Sequence, residues 1–229
     1  MRPASSASTA STTGSCTRWH MRCPTRTSPE QAFGESYYAT ANYSHYLWKA
    51  DRYRHLARDL ADLFEKLSTW RSVEHLLDYG CGPGFLVEGF QQLGKNATGC
   101  DISPWSIRYG SETLGIPFLR LPEQLDWSTN WSMVTALDVL EHMHDDDIDE
   151  LLDRIDTDLL VARIPLTTTE GGKFVLPVSE EDPTHVNRKT AAGWERLLLR
   201  HGFESWLVLN LSTIWESDGV LSRVFRRRG

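Results

Sequence analysis

The chain has little that would tie it to a membrane, a zinc ribbon or a nucleic acid. None of its apolar runs approaches the length needed to span a bilayer. Its four cysteines, Cys16, Cys23, Cys81 and Cys100, form no paired C-x-x-C pattern and no disulfide framework. Reduced thiols in a cytoplasmic protein are therefore expected. A net charge of −7 over 229 residues leaves little cationic surface for phosphates, which sets nucleic acid aside as a partner. Acids are missing altogether before Glu30, although Arg2, Arg18, Arg22 and Arg26 fall there. That Ser-, Thr-, Arg- and Pro-rich stretch also lacks the apolar middle of a secretory signal. Residues 1–30 are read as a disordered tail.

What is present is an alternation. Tyr46, Ala50, Tyr53, Ala57, Leu60, Phe64 and Leu67 recur at helical steps, so a long amphipathic helix is expected between Ser44 and Trp70, with residues 31–72 as a helical lid. From residue 73 to 229, short apolar runs alternate with helical segments. Strands are expected at Glu74–Tyr79, Ala97–Asp101, Pro117–Leu119, Met133–Asp138, Leu159–Ile164, Glu204–Leu211 and Val220–Phe225. Helices are expected at Phe85–Leu93, Pro104–Thr113 and Asp147–Ile155, and from Thr190 onward. This βαβ rhythm implies an α/β fold, a parallel sheet with helices on both faces. The stretch Pro165–Arg188 is long for a connection, and loops of that length are usually functional.

The most informative segment is Leu77-Asp78-Tyr79-Gly80-Cys81-Gly82-Pro83-Gly84-Phe85. Glycine at every second position lets a strand-to-helix turn bring backbone N–H groups close to a polar ligand. Asp101 ends the next strand, 21 residues after Gly80, where a carboxylate accepts hydrogen bonds from both hydroxyls of a ribose. A dinucleotide and S-adenosylmethionine are the competing ligands. The spacing is G-x-G-x-G and not the dinucleotide G-x-G-x-x-G. Asp78 would repel a pyrophosphate but suits a ligand that ends in an ammonium group.

At these residues the chain resembles the class I S-adenosylmethionine-dependent methyltransferases of the small-molecule type. The resemblance is carried by Leu77–Phe85, by Gly99-Cys100-Asp101-Ile102-Ser103-Pro104 and by Leu137-Asp138-Val139-Leu140-Glu141-His142. It implies a Rossmann-like sheet of seven strands in the order 3-2-1-4-5-7-6, with strand 7 antiparallel. It also implies S-adenosyl-L-methionine as cofactor. Gly80, Cys81, Gly82 and Gly84 would meet its methionine part, Asp78 its amino group, Asp101 its ribose and Ile102 its adenine face. Leu121 would lie at the adenine edge, and Asp138 and Tyr38 would complete the cofactor site. Two departures from the family pattern stand out: Leu121-Pro122-Glu123 lacks the usual acid, and Ser132 replaces an Asp before the fourth strand.

On the acceptor side, methyl transfer relies on positioning an in-line nucleophile, with a base where the acceptor holds a proton. Glu141, His142 and His185 are the candidate catalytic residues. Asp138, Glu141, His142 and His185 also resemble the metal set of the ubiquinone-pathway O-methyltransferases and the small-RNA 2′-O-methyltransferases. A divalent metal is the less favoured reading, because Asp138 stands where a Glu is expected. The aromatic segment Tyr37–Trp48 is read either as a lid over the cofactor or as ordinary packing. The expected function is transfer of a methyl group to an O or N atom of a small-molecule acceptor. RNA 2′-O-methylation, or a non-catalytic cofactor-binding role beside another enzyme, are the alternatives.

Overall fold

The computed structural model describes residues 28–39, 46–67, 73–215 and 217–228. The expected tail lies outside the described residues except for residues 28–30. Cys16, Cys23 and residues 40–45 of the aromatic segment lie outside them too.

Seven strands form one sheet: β1 (His75–Tyr79), β2 (Asn96–Cys100), β3 (Leu119–Arg120), β5 (Met133–Leu137), β7 (Leu159–Pro165), β8 (Phe203–Val208) and β9 (Val220–Arg227). Two further short strands, β4 (Asn130–Trp131) and β6 (Asp156–Thr157), pair as a separate ribbon. The sheet order is β3-β2-β1-β5-β7-β9-β8. Counted within the sheet alone, that is 3-2-1-4-5-7-6, as the resemblance implies. The β9 strand runs antiparallel to both β7 and β8, and every other pair is parallel.

The central strands β1, β5 and β7 are covered on both faces, so their sequences read as near-continuous apolar runs. On one face pack α3 (Ala50–Lys66), α4 (Phe85–Gln92) and α5 (Pro104–Arg108), through Leu56, Phe64, Val87, Phe90 and Ile107. On the other pack α6 (Asp145–Arg154) and α8 (Ala191–Arg200), through Ile148, Leu151, Trp194 and Leu198. Two short helices, α1 (Pro29–Ala32) and α2 (Glu35–Ala39), precede α3, and a single turn, α7 (Pro177–Glu180), interrupts the long connection after β7.

Helix ends follow the sequence closely. Thr190 caps α8 by accepting the Gly193 N–H at 3.1 Å, and Ser103 caps α5 by accepting that of Ser106 at 3.1 Å. The third strand is displaced from its expected start at Pro117, because Phe118 adopts φ +62 and cannot sit in an extended ladder. The amphipathic helix begins at Ala50, and a 3₁₀ turn, Tyr46–Lys49, leads into it. Its apolar stripe belongs to the sheet-facing core, so α3 is a structural layer as well as a neighbour of the site.

Candidate functional site

The carboxyl ends of β1, β2 and β5 converge where the strand order reverses, the usual crevice of a doubly wound sheet. After β1 the chain turns through Gly80 and Gly82, at φ +76 and +53. A Cβ at Gly80 would lie 2.2 Å from Val139 Cγ2, so no other residue fits there. The loop is fixed from the second strand. The N–H groups of Gly80 and Cys81 donate to the Cys100 carbonyl at 2.7 and 3.1 Å. Asp101 then clips two loops together: its Oδ2 accepts the Gly82 N–H at 2.8 Å and its Oδ1 the Ser103 N–H at 2.7 Å. Burial raises the Asp101 carboxyl to about 6 despite these two donors.

Asp101 opens onto a chamber walled by Tyr79, Gly80, Gly82, Ile102, Leu137, Asp138, Val139 and His142. Its roof is aromatic. Phe33, Tyr37 and Tyr38 come from the N-terminal segment, and Tyr46 and Tyr53 from the start of the α3 region. The roof is fastened to α5: Ser103 Oγ donates to the Phe33 carbonyl at 2.6 Å, and Ser106 Oγ donates to the Tyr38 hydroxyl at 2.9 Å. Tyr38 also stacks on Trp105, with ring centroids 5.2 Å apart. The hydroxyls of Tyr38 and Tyr46 face Gly82, each 3.3 Å from where a Cβ would stand.

A second chamber adjoins the first and shares Tyr46, Tyr53 and Asp138 with it. Asp138 stands on that boundary in the left-handed region, at φ +56, a conformation an Asp tolerates better than most residues. Its carboxylate is bound by both-oxygen contact with Arg163, whose other nitrogen donates to the Trp215 carbonyl at 3.1 Å. Arg163 is buried within β7.

Glu141 is fully buried between the two chambers, and neither carboxylate oxygen has a hydrogen-bond partner among the described residues. Its Oε1 lies 4.0 Å from His142 Nε2 and 3.9 Å from His185 Nε2. The tautomers of both imidazoles follow from their other nitrogens. His185 Nδ1 faces the Ser179 carbonyl at 2.9 Å, which only accepts, so Nδ1 carries the proton and Nε2 a lone pair. The Thr184 hydroxyl donates to Asp182 Oδ1, so it accepts from His142 Nδ1 at 2.9 Å, and His142 Nε2 is also bare. Burial pushes His142 down to about 3, with His185 adding to the effect, and lowers His185 as well. Burial, with Asp138 nearby, holds Glu141 well above the usual carboxylate range. Two neutral imidazoles and the Glu141 carboxyl group turn their ligand atoms to one spot, all within 4.8 Å of one another, and a bound cation would hold that carboxyl ionised. With both Nδ1 atoms anchored and the carboxylate orphaned, this donor set fits a divalent cation. Asp138 is not brought into it, because Arg163 holds its carboxylate.

Of the expected cofactor residues, Gly80, Gly82, Asp101, Ile102, Asp138 and Tyr38 line the first chamber. Asp78 is buried and does not line it; its Oδ1 accepts the Thr135 hydroxyl at 2.6 Å, and burial raises it to about 7. Cys81 packs with its thiol 3.4 Å from the Gly82 carbonyl, and burial pushes the thiol up. Gly84, at φ +91, starts α4 against Leu119. Leu121 is not brought to the chamber: its N–H donates to Gln124 Oε1 at 2.9 Å, and it lines a separate groove with Ile107 and Arg120. Arg163, Thr184 and Asp182 escape a reading of sequence patterns. Arg163 alone carries a signal, a cation inside the apolar run Leu159–Pro165, which has to find a buried partner.

A family model described as a methyltransferase domain matches residues 50–208. Among curated proteins, the ubiquinone biosynthesis O-methyltransferase of Methylobacterium sp. (strain 4-46) is 34% identical over 77 residues, 31% of this chain and 31% of that protein. The protein of the same name from Paramagnetospirillum magneticum (strain ATCC 700264 / AMB-1) is 34% identical over 76 residues, 31% of this chain and 30% of that protein. The matched stretches span about a third of each relative. Among solved structures, mitomycin 7-O-methyltransferase MmcR superposes with a TM-score of 0.61 at 17% identity, over 88% of this chain and 61% of that one. Magnesium protoporphyrin IX methyltransferase from Synechocystis PCC 6803, with S-adenosylmethionine bound, gives 0.50 at 17% identity, over 76% and 78%.

Proposed function

The chain belongs to this methyltransferase-domain family, and on that premise we propose that it transfers the methyl group of S-adenosylmethionine to a hydroxyl oxygen of a small-molecule acceptor. One observation carries the reading: the chamber lined by the glycine loop and Asp101 meets a second chamber at Asp138, Tyr46 and Tyr53. The first suits the cofactor and the second the acceptor, so a methyl group passes across their common boundary. Structures of similar fold include a methyltransferase bound to S-adenosylmethionine and one that modifies a small-molecule oxygen, which supports both halves.

The chemistry is a single displacement. The acceptor oxygen forms a bond to the methyl carbon as the carbon–sulfur bond breaks, and the sulfonium leaves as a neutral thioether. Alignment of the reacting atoms supplies much of the rate. The tyrosine rings of the roof favour the sulfonium cation. An unprotonated amine would need no base, whereas a hydroxyl has to lose its proton, and the bare Nε2 of His185, which lines the acceptor chamber, is placed to take it. Ser179 holds that imidazole in the accepting tautomer. Glu141, His142 and His185 would alternatively hold a divalent cation, which would occupy the His185 lone pair and, in place of the base, lower the pKa of a coordinated hydroxyl.

The test is a two-part measurement. Calorimetry reads the binding of S-adenosylhomocysteine, and mass spectrometry reads methyl incorporation into a panel of hydroxylated and aminated small molecules. Tight cofactor binding with methylation of hydroxylated members supports the reading. Cofactor binding with no turnover on any of them favours a non-catalytic role, and methylation confined to amines removes the base assignment.

A further inference from the structure

The acceptor chamber carries two cations for which the described residues supply no partner. Lys49, the last residue of the 3₁₀ turn, and Arg52, in the first turn of α3, both line it, three residues apart. Neither has an ion-pair or hydrogen-bond partner among the described residues. The neighbouring acid does not serve them: Asp51 pairs with Arg54 at 2.7 Å. The acids lining the same chamber are committed elsewhere. Asp138 is held by Arg163, Glu141 belongs to the histidine cluster, and Asp182 accepts from Thr184. Burial lowers the Lys49 ammonium, and the Arg52 charge lowers it further, as befits two cations with no anion between them. Apolar and aromatic side chains line the same chamber, Ile214 and Trp215 among them.

We propose that the acceptor carries an anionic group, a carboxylate or a phosphate ester, and that Lys49 and Arg52 hold it while the adjoining flat or apolar part lies against Trp215. Such a pair selects by charge: an anion satisfies both cations, and a neutral isostere leaves them unpaired. The inference rests on the second chamber being the acceptor site, and therefore on the methyl-transfer reading.

The experiment uses benzoate, phenyl phosphate and benzamide as probes, titrated by calorimetry into the full chain saturated with S-adenosylhomocysteine. At least one of the two anions is expected to bind with a Kd of about 1 mM or tighter, with benzamide at least about tenfold weaker. Whichever anion binds more tightly identifies the carboxylate or the phosphate as the group recognised. The double variant K49M/R52M is expected to abolish the preference while S-adenosylhomocysteine still binds, which also shows that it is folded. Equal binding of the three probes overturns the proposal. So does a preference that survives in the double variant, or no saturable binding of either anion below about 10 mM. Failure of the methyl-transfer reading would be seen separately, as absence of S-adenosylhomocysteine binding in the wild-type chain or of methyl incorporation into any acceptor of the panel.

Discussion

Asp101→Asn tests whether the carboxylate that clips the two loops also holds the ribose. Each oxygen already accepts one backbone N–H, from Gly82 at 2.8 Å and from Ser103 at 2.7 Å, and each keeps a lone pair for the chamber. Two ribose hydroxyls donated to those lone pairs are charge-assisted bonds, each worth about 1.5–3 kcal/mol. Asparagine is neutral and keeps a single accepting oxygen. Its amide nitrogen would confront either the Gly82 or the Ser103 N–H, so at least one accepting bond is lost and the other weakened. A loss of about 2–3 kcal/mol is expected, or a 30- to 150-fold rise in Kd for S-adenosylhomocysteine, read by calorimetry near pH 8. A second signature comes from the carboxyl lying at about 6. Wild-type affinity should fall as the pH drops through about 6 and Asp101 takes a proton, and the Asn variant should lose that dependence. Circular dichroism of the variant checks that the loop clip is still folded. Affinity within threefold of wild type, with the same pH profile, would refute the placement of the ribose.

Three further outcomes follow from the same geometry. Asp78 at about 7 and Asp101 at about 6 both lie above an unfolded Asp near 3.9, so the folded chain keeps protons that the unfolded chain releases. That stabilisation is whole below about pH 4 and lost as the pH rises through about 7. The lowered His142 and His185 act in the opposite direction over the same range, so the Asp78 contribution is read as a difference: the melting temperature at pH 5.5 minus that at pH 8 should be smaller in Asp78→Asn than in the wild-type unliganded chain. Arg163→Met leaves the Asp138 carboxylate without its partner and should cost about 2–3 kcal/mol in urea unfolding, a smaller value than for a fully buried pair because Asp138 is partly exposed. An unchanged midpoint would mean the pair contributes little. His185→Ala should lower kcat by about 100-fold or more with cofactor affinity within twofold of wild type. Undiminished turnover would return His185 to a packing role.

The sheet was legible because its central strands are buried on both faces and its helices carry their own stop and start signals, as at Thr190 and Ser103. Contiguous segments of the site were legible for a similar reason. Gly80 and Gly82 are required by backbone geometry and steric closeness, and Asp101 falls at a fixed distance along a βαβ unit. What failed to show was whatever depends on contacts across the sheet. Asp138 reads as a free acid beside Glu141 and His142, and only the β5–β7 pairing reveals Arg163 against it. The two imidazole tautomers are likewise set by Ser179 and Thr184, in a loop whose course no local pattern dictates. The cation-fitting character of the Glu141 cluster is clearer in three dimensions than in sequence for that reason. Leu121 falls at a family position whose usual acid this chain lacks, and its backbone N–H is taken by Gln124.

Arg163 also has a meaning for redesign. A connection between two strands, such as the one joining β8 to β9, is ordinarily the place where insertions are tolerated and new specificities grafted. Here its Trp215 carbonyl receives a guanidinium whose other arm steadies the residue at the junction of the two chambers. Transplanting a different loop would therefore change more than the shape of the entrance. It would withdraw a support from Asp138, far earlier in the chain, through an Arg163 that itself stands 52 residues before Trp215. A graft that keeps the Trp215 carbonyl in place alters the second chamber's lining alone, and one that discards it also loosens Asp138 where the two chambers meet.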